Sequence, residues 1–398
     1  MPIDVARARA DTPGCTDDRI HLNAAGSSLP PQAVLDAVVA HLELEARLGG
    51  YEAEDAAAER LDAAYPALAR LLGCERDEVA IVENATRAWD MAFYSLPFRA
   101  GDRILTATAE YESNYLAYLQ VCRRTGARVE AVPDDEHGQI SIDALEGMLD
   151  ERVRLISITH VPTNGGLVNP AERVGAVARK AGIPFLLDAC QSLGQMPLDV
   201  ERIGCDMLSA TGRKYLRGPR GTGVLYVRRS LAETLEPPFL DLRAAEWIDR
   251  DRYELAPGAR RFENWESFVA GRAGLAAAAG YALDLGLDAI RDRIRALAEA
   301  LRGHLTAIPG VDVRDLGAER CGIVSFTVAG VAPPDVASAL ARRNVHVVPS
   351  RRSSTLLDMD ARGLDALVRA SVHYYNTDEE LERAAAAVEA VAARSGSS

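Results

Sequence analysis

Two short runs constrain this chain more than anything else in it, RLISITHV at 154–161 and IPFLLD at 183–188. Both are apolar almost throughout instead of alternating. A strand of that kind is covered on both faces, which calls for helices above and below a mainly parallel sheet. The chain up to Val227 agrees. Strands are expected at Val79–Val82, Arg103–Thr106, Arg128–Val132, Val153–His160, Ile183–Asp188, Met207–Ala210 and Gly223–Val227. Helical patterns fall between them, at Pro31–Leu48, Ala53–Leu72, Ala85–Tyr94, Ser113–Arg123, Ser141–Leu149 and Pro170–Ala181. Such alternation reads as an α/β fold with a mainly parallel seven-stranded sheet.

Beyond Pro237 the pattern changes. A loop-rich stretch with Trp247, Arg260, Arg261 and Trp265 leads into two helices, 268–285 and 287–307. Strand-like Gly322–Val328, a helix at 334–343, strand-like Val345–Val348 and Val368–Tyr374, and a last helix to Ala393 follow. At 398 residues the chain is too long for one ordinary core. The expected division is an N-terminal arm (1–20), a large domain (21–255) and a smaller α+β domain (256–398), ending in a frayed SGSS tail.

Charge narrows the partners. The chain carries 45 Lys+Arg against 58 Asp+Glu, a formal charge of −13. Nucleic acid or an anionic membrane as main partner would need a basic surface. Ala273–Leu283 is the longest uncharged small-apolar stretch and falls short of the roughly 20 residues that span a bilayer. The six cysteines stand apart with no CxxC pair, so neither a zinc knuckle nor a disulfide framework is expected. MPIDVARARADTPG has no apolar core of a signal peptide, and the expectation is a cytoplasmic protein.

The residue pair that suggests chemistry is Asp188 and Lys214. Asp188 closes the buried run IPFLLD, and ligands of open α/β sheets lie beyond the carboxyl ends of strands. Lys214 follows MLSAT in the Gly-rich turn TGRKYLRGPRGTG. A partly desolvated lysine there can lose its proton and condense with an aldehyde, while a carboxylate holds a pyridine nitrogen protonated. Together they suit pyridoxal phosphate. By itself such a lysine is more often a solvated loop residue. Asn84-Ala85-Thr86 opens a helix after the strand VAIV, so free N–H groups and the Thr86 hydroxyl could cradle a phosphate, or Asn84 simply caps the helix. Thr211 and Arg213 could serve the same phosphate. Arg369, in an otherwise apolar run, is either a clamp on a substrate carboxylate or half of an internal salt bridge. No GxSxG, HExxH, Walker A or GxGxxG pattern occurs.

These elements stand in a recognisable order. HLNAAGSSLPPQAV, VENATRAWD, AEYESN, THVPTNGGLVNP, LLDACQSLGQMPLDV, CDMLSATGRKYLRGPRGTGVLYV and VRASVHYYNTDEEL together resemble the class V aminotransferase family of pyridoxal-phosphate enzymes (fold type I), in the branch with cysteine desulfurases and isopenicillin N epimerases. The resemblance implies that Lys214 binds the cofactor covalently and Asp188 pairs with its ring nitrogen. It implies that Gln191 bonds near the ring oxygen, that Ala85, Thr86, Thr211 and Arg213 hold the phosphate, and that Arg369 takes the substrate carboxylate. Asn23 and Ala25 match the N-terminal segment that passes near the substrate. A homodimer and an amino-acid substrate are also implied.

Three departures stand out. Glu112 falls where cysteine desulfurases stack a His on the cofactor, which points to neighbouring Tyr111 as a substitute. Thr163 falls where the desulfurase pattern has Asn. The desulfurase loop with its catalytic Cys has no counterpart, since Val345–Arg369 contains Ser but no Cys. RRFENWESFVAGRAGL, with Trp265 and Glu266 in place of a small-residue turn, and LGGYEA look more like the hercynylcysteine sulfoxide lyases. Tyr111, Glu112, Trp89, Trp265 and Ser350–Ser354 are expected to shape the substrate pocket. The first expectation is therefore a carbon–sulfur lyase acting on an S-substituted cysteine or its sulfoxide, the alternative a class V aminotransferase. An epimerase, a decarboxylative or oxidative enzyme, or a desulfurase follow behind.

Overall fold

The structure is a computed structural model and describes residues 2–395. Residues 396–398 of the SGSS tail lie outside that range. The central sheet has seven strands: β1 (Val79–Val82), β2 (Arg103–Ala107), β3 (Arg128–Val132), β4 (Val153–Thr159), β5 (Phe185–Asp188), β6 (Met207–Thr211) and β7 (Gly223–Val227). Their spatial order is β1-β7-β6-β5-β4-β2-β3. β7 runs antiparallel to both its neighbours, and the other pairings are parallel. β4 and β5 lie in the middle with Leu155, Ile156, Ile158, Phe185, Leu186 and Leu187 fully buried, which is why their sequences are apolar on both faces.

Helices cover the sheet on both sides. α1 (Gln32–Leu48), α2 (Ala64–Leu72), α3 (Ala85–Phe93), α4 (Glu112–Thr125) and α5 (Ala171–Ala181) belong to this layer system. The single helix expected over 53–72 is broken into Gly50–Ala56, Ala58–Asp62 and α2. Pro66 has no N–H to give the Asp62 carbonyl, so the helix restarts with Pro66 in its first turn, where no such bond is needed. The loop-rich stretch after Pro237 contains a hairpin, Ala245–Asp249 with Arg252–Leu255. Trp89 lies in the core, stacked on Phe93 at 4.5 Å and edge-on to Tyr118, so it does not line a substrate pocket as expected.

α6 (Val269–Leu285) packs on α1 and α2, whereas α7 (Leu287–Thr306) packs on α8 (Asp378–Ser395) and the second sheet. We place the passage between the two layer systems at Gly286. The second sheet comprises β8 (Val311–Val313), β9 (Ile323–Val328), β10 (Val348–Arg351) and β11 (Ala366–Ser371), in the order β8-β9-β11-β10 and antiparallel throughout. The N-terminal arm ties in through Ile20–His21, which pair with Val345–His346. Among the described residues, no single helix is long and apolar enough to cross a membrane.

Candidate active site

The parallel strands end together, and their carboxyl edge gathers the polar residues. Asp188 ends β5 between Thr159 of β4 and Ser209 of β6. Its Oδ1 accepts from the Cys190 N–H at 2.9 Å and its Oδ2 from Asn114 Nδ2 at 2.9 Å. Both bonds fix the orientation of the buried carboxylate.

Lys214 enters from the turn after β6. Gly212 must be glycine, since a Cβ there would lie 2.3 Å from Thr222 Oγ1. Arg217 adopts φ +64°, a left-handed conformation that costs a non-glycine residue about 1–2 kcal/mol. It is held there by bonds to Leu29 O and the Tyr374 hydroxyl and by the faces of Tyr374 and Tyr375. The Arg217 N–H closes the turn on Lys214 O at 3.0 Å. Lys214 is thereby buried, and its Nζ donates to Gln191 Oε1 at 2.9 Å. Burial pulls its pKa down, reinforced by Arg213 and Arg369 and opposed by Asp188. A neutral amine is the form that can attack a carbonyl.

Arg369 sits on β11, buried, and makes no salt bridge. It donates to Thr163 Oγ1 and, at 3.4 Å, to Asn23 Oδ1, and its Nε has no partner. The internal salt bridge that the sequence left open is not formed among the described residues. A buried guanidinium without a counter-ion is costly until an anion arrives. Asn23 is kept in place because Gly26 leaves room for it: a Cβ at 26 would lie 2.4 Å from Asn23 Oδ1. Ala25 N–H donates to Ser371 Oγ at 3.0 Å, so the N-terminal segment is pinned beside β11. Arg213 donates to Gly26 O and also lacks a carboxylate partner.

At the start of α3, Asn84 Oδ1 caps the Arg87 N–H at 2.9 Å. The N–H groups of Ala85 and Thr86 have no partner among the described residues. Asn84 thus caps the helix, and the two N–H groups stay available to an anion. The hydroxyl of Thr211, buried at the end of β6, donates to Thr222 O at a long 3.4 Å. Tyr111 is half-buried near Cys190, Asp188 and Arg213, and burial raises its pKa. Glu112 is exposed. With Leu116, Tyr115, Ser353, Leu356 and Leu357 it borders a cavity of about 140 Å³.

Two groups that sequence reasoning passed over complete the site. Glu110, buried, bonds to Asn114, which bonds to Asp188. Asn164, buried, ties the segment Ser350–Thr355 to the large domain. It accepts from Ser350 Oγ, and its Nδ2 donates to Thr355 Oγ1 at 3.0 Å. Both lie inside quoted motifs, AEYESN and THVPTNGGLVNP. Their only signal was polar residues directly after buried strands.

The donor set fits pyridoxal phosphate. A buried lysine bonded only to an amide oxygen, a strand-end carboxylate, unpaired N–H groups at a helix start and a buried guanidinium with an orphan Nε match an aldehyde, a ring nitrogen, a phosphate and a substrate carboxylate in turn. The comparisons agree. Residues 20–384 match the family model "Aminotransferase class-V". A probable cysteine desulfurase of Methanothermobacter thermautotrophicus is 30% identical over 381 residues, covering 94% of this chain and 95% of the relative. One from Xylella fastidiosa is 32% identical over 382 residues, covering 93% and 90%. The cysteine desulfurase structure from Thermococcus onnurineus superposes with a TM-score of 0.92 at 27% identity, covering 99% of each chain. A cystine C–S lyase solved with its product cysteine persulfide shares the fold, with a TM-score of 0.86 at 24% identity, covering 95% of this chain and 99% of that one.

This is a pyridoxal-phosphate enzyme of fold type I. The chain belongs to the class V aminotransferase family.

Proposed function

We propose that this enzyme is a carbon–sulfur lyase that carries out β-elimination on an S-substituted cysteine or cysteine sulfoxide. The observation that carries the reading is the segment Ser350–Thr355, tied down by Asn164, which offers serine, arginine and threonine but no thiol. Relatives named cysteine desulfurase support a cysteine-derived substrate. The thiol nearest the site by sequence, Cys190, supports elimination over persulfide formation. It is buried, and desolvation first, then Asp188, pushes its pKa up. A thiol held protonated is a poor nucleophile.

In this reading Arg369 takes the substrate carboxylate, with Asn23 and Thr163 fixing its plane. Ala85, Thr86, Thr211 and Arg213 hold the phosphate. Asp188 keeps a proton on the ring nitrogen. Bound there, pyridoxal phosphate supplies a ring that accepts the electron pair of a broken Cα bond. Lys214, whose Nζ lies in the site, would remove the Cα proton as general base. The Cβ–S bond then breaks with the sulfur as leaving group. The balance is one S-substituted cysteine and one water to one thiol, one pyruvate and one ammonia. A sulfoxide gives a sulfenic acid in place of the thiol. We further read the enzyme as a homodimer, supported by an exposed aromatic surface at Tyr51 and Trp265, whose rings lie 6.5 Å apart.

The test incubates the holoenzyme with S-alkyl cysteine sulfoxides, and separately with an amino donor plus a keto acid. Pyruvate release in the first arm alone is expected. Amino transfer in the second arm without pyruvate in the first would assign a class V aminotransferase instead.

A further inference from the structure

Glu110 is a buried carboxyl for which the reaction above has no use. It lies in the turn between β2 and α4. Its Oε2 accepts from Thr106 Oγ1 at 2.9 Å, at the end of β2. Its Oε1 accepts from the Tyr111 N–H at 2.8 Å, from Asn114 Nδ2 at 3.0 Å and from Thr159 Oγ1 at the end of β4. The same Asn114 Nδ2 donates to Asp188 Oδ2 at 2.9 Å. One amide nitrogen, with two hydrogens, therefore serves two carboxyl groups.

That arrangement leaves Asn114 only one usable orientation. If its amide turned over, its carbonyl oxygen would face Glu110 and Asp188 together, and both contacts would be repulsive. Glu110 is itself fixed from three directions by Thr106, Thr159 and the Tyr111 N–H. The titratable groups around it are Asp188, across Asn114, and Tyr118, whose hydroxyl donates to Ser157 Oγ at 2.7 Å. Burial, with Asp188 adding to it, pushes the Glu110 carboxyl up to about 7, although its hydrogen-bond donors oppose the rise. With a proton on Oε2, Glu110 can donate to Thr106 and keep every other bond, so the orientation of Asn114 survives in either protonation state.

We propose that Glu110 is a positioning residue for the cofactor: it locks the Asn114 amide so that Asp188 always receives its hydrogen bond and presents its carboxylate to the ring nitrogen of pyridoxal phosphate. The claim rests on the cofactor and holds whichever reaction the enzyme performs.

The test measures pyridoxal phosphate binding to apoprotein by absorbance, together with the pH midpoint of the visible band. Glu110→Leu removes the lock, and Asn114→Ala removes the bond it protects. Each is expected to weaken binding by roughly tenfold or more, the usual effect of losing a hydrogen bond to a charged group. The double variant is expected to bind no worse than the weaker single one, because both changes break the same chain of bonds. Glu110→Gln can keep the geometry, with its oxygen toward Asn114 and its amide toward Thr106, and is expected to restore binding to within about twofold of the parent. That rescue is a result a general loss of packing would not give. Should Glu110→Leu fail to fold, Asn114→Ala and Glu110→Gln still decide. Unchanged binding and an unchanged band midpoint in Asn114→Ala would overturn the proposal. So would Glu110→Gln binding as weakly as Asn114→Ala, which would assign the effect to charge and not to orientation.

Discussion

The carboxyl edge of the large sheet and the segment Ser350–Thr355 face the same site and are built in opposite ways. At the sheet edge, Asp188, Gln191, Lys214 and Glu110 are buried, and each has a partner that fixes it. The small-domain segment is half exposed, begins at the end of β10, and is bonded to the large domain through Asn164. Beside it lies a cavity bordered by partly exposed Leu116, Leu119 and Leu356. Rigid strand ends can hold reacting groups within fractions of an ångström, whereas a tethered loop can change its residues without disturbing the sheet. In the proposed reading the difference separates two questions: the sheet edge serves pyridoxal phosphate chemistry, and the segment Ser350–Thr355 selects the substrate.

Variants sort by the side of that division they touch. Lys214→Ala is expected to have the largest effect. Turnover should fall by at least about 10³-fold, the scale of a lost catalytic base, while the thermal midpoint of the apoprotein changes little. Borohydride reduction should fix the cofactor to Lys214 in the parent and leave the variant unlabelled. Arg369→Ala comes next. KM for amino-acid substrates should rise roughly 10- to 100-fold as a charge-assisted contact is lost. An unchanged KM would move the carboxylate clamp elsewhere.

A third prediction concerns pH. The folded-state pKa of Glu110 is raised from 4.5 to about 7, so the folded protein binds that proton more tightly than the unfolded chain. Its contribution to stability is full below pH 4.5 and is lost as pH rises through about 7, at most roughly 3 kcal/mol by linkage. Thermal midpoints of the apoprotein between pH 5 and 8 should therefore fall more steeply for the parent than for Glu110→Gln. Parallel curves would contradict the shift. Asn164→Ala should be mildest. It removes the bonds from Ser350 and Thr355 to the large domain, and KM should rise about fivefold, the worth of one ordinary hydrogen bond. Affinity for pyridoxal phosphate should not change, and a loss there would collapse the distinction between the two regions.

The same contrast explains what could be read in the sequence. The seven strands of the large sheet were legible, those in the middle because strands buried on both faces leave unbroken apolar runs, and with them the strand-end residues Asp188 and Thr211. Lys214 was legible through the turn that follows. The class V family resemblance holds across residues 20–384. Contacts between distant residues were not legible. Arg369 reads equally well as half of an ion pair until the structure shows Thr163 and Asn23 as its partners and no ion pair among the described residues. Glu110 and Asn114 look like surface polar residues at a helix start until β2, β4 and β5 close around them. Trp89 looks like a pocket residue because nothing in one sequence tells which face of α3 meets Tyr118.

The most direct test of the central claim is the fate of the three-carbon unit. The holoenzyme, supplied with an S-substituted cysteine, should release pyruvate and thiol in equal amounts, with no alanine and no sulfur bound to the protein. Alanine as the three-carbon product, with persulfide on a protein cysteine, would contradict the account and make this chain a desulfurase that recruits a thiol from outside Val345–Arg369.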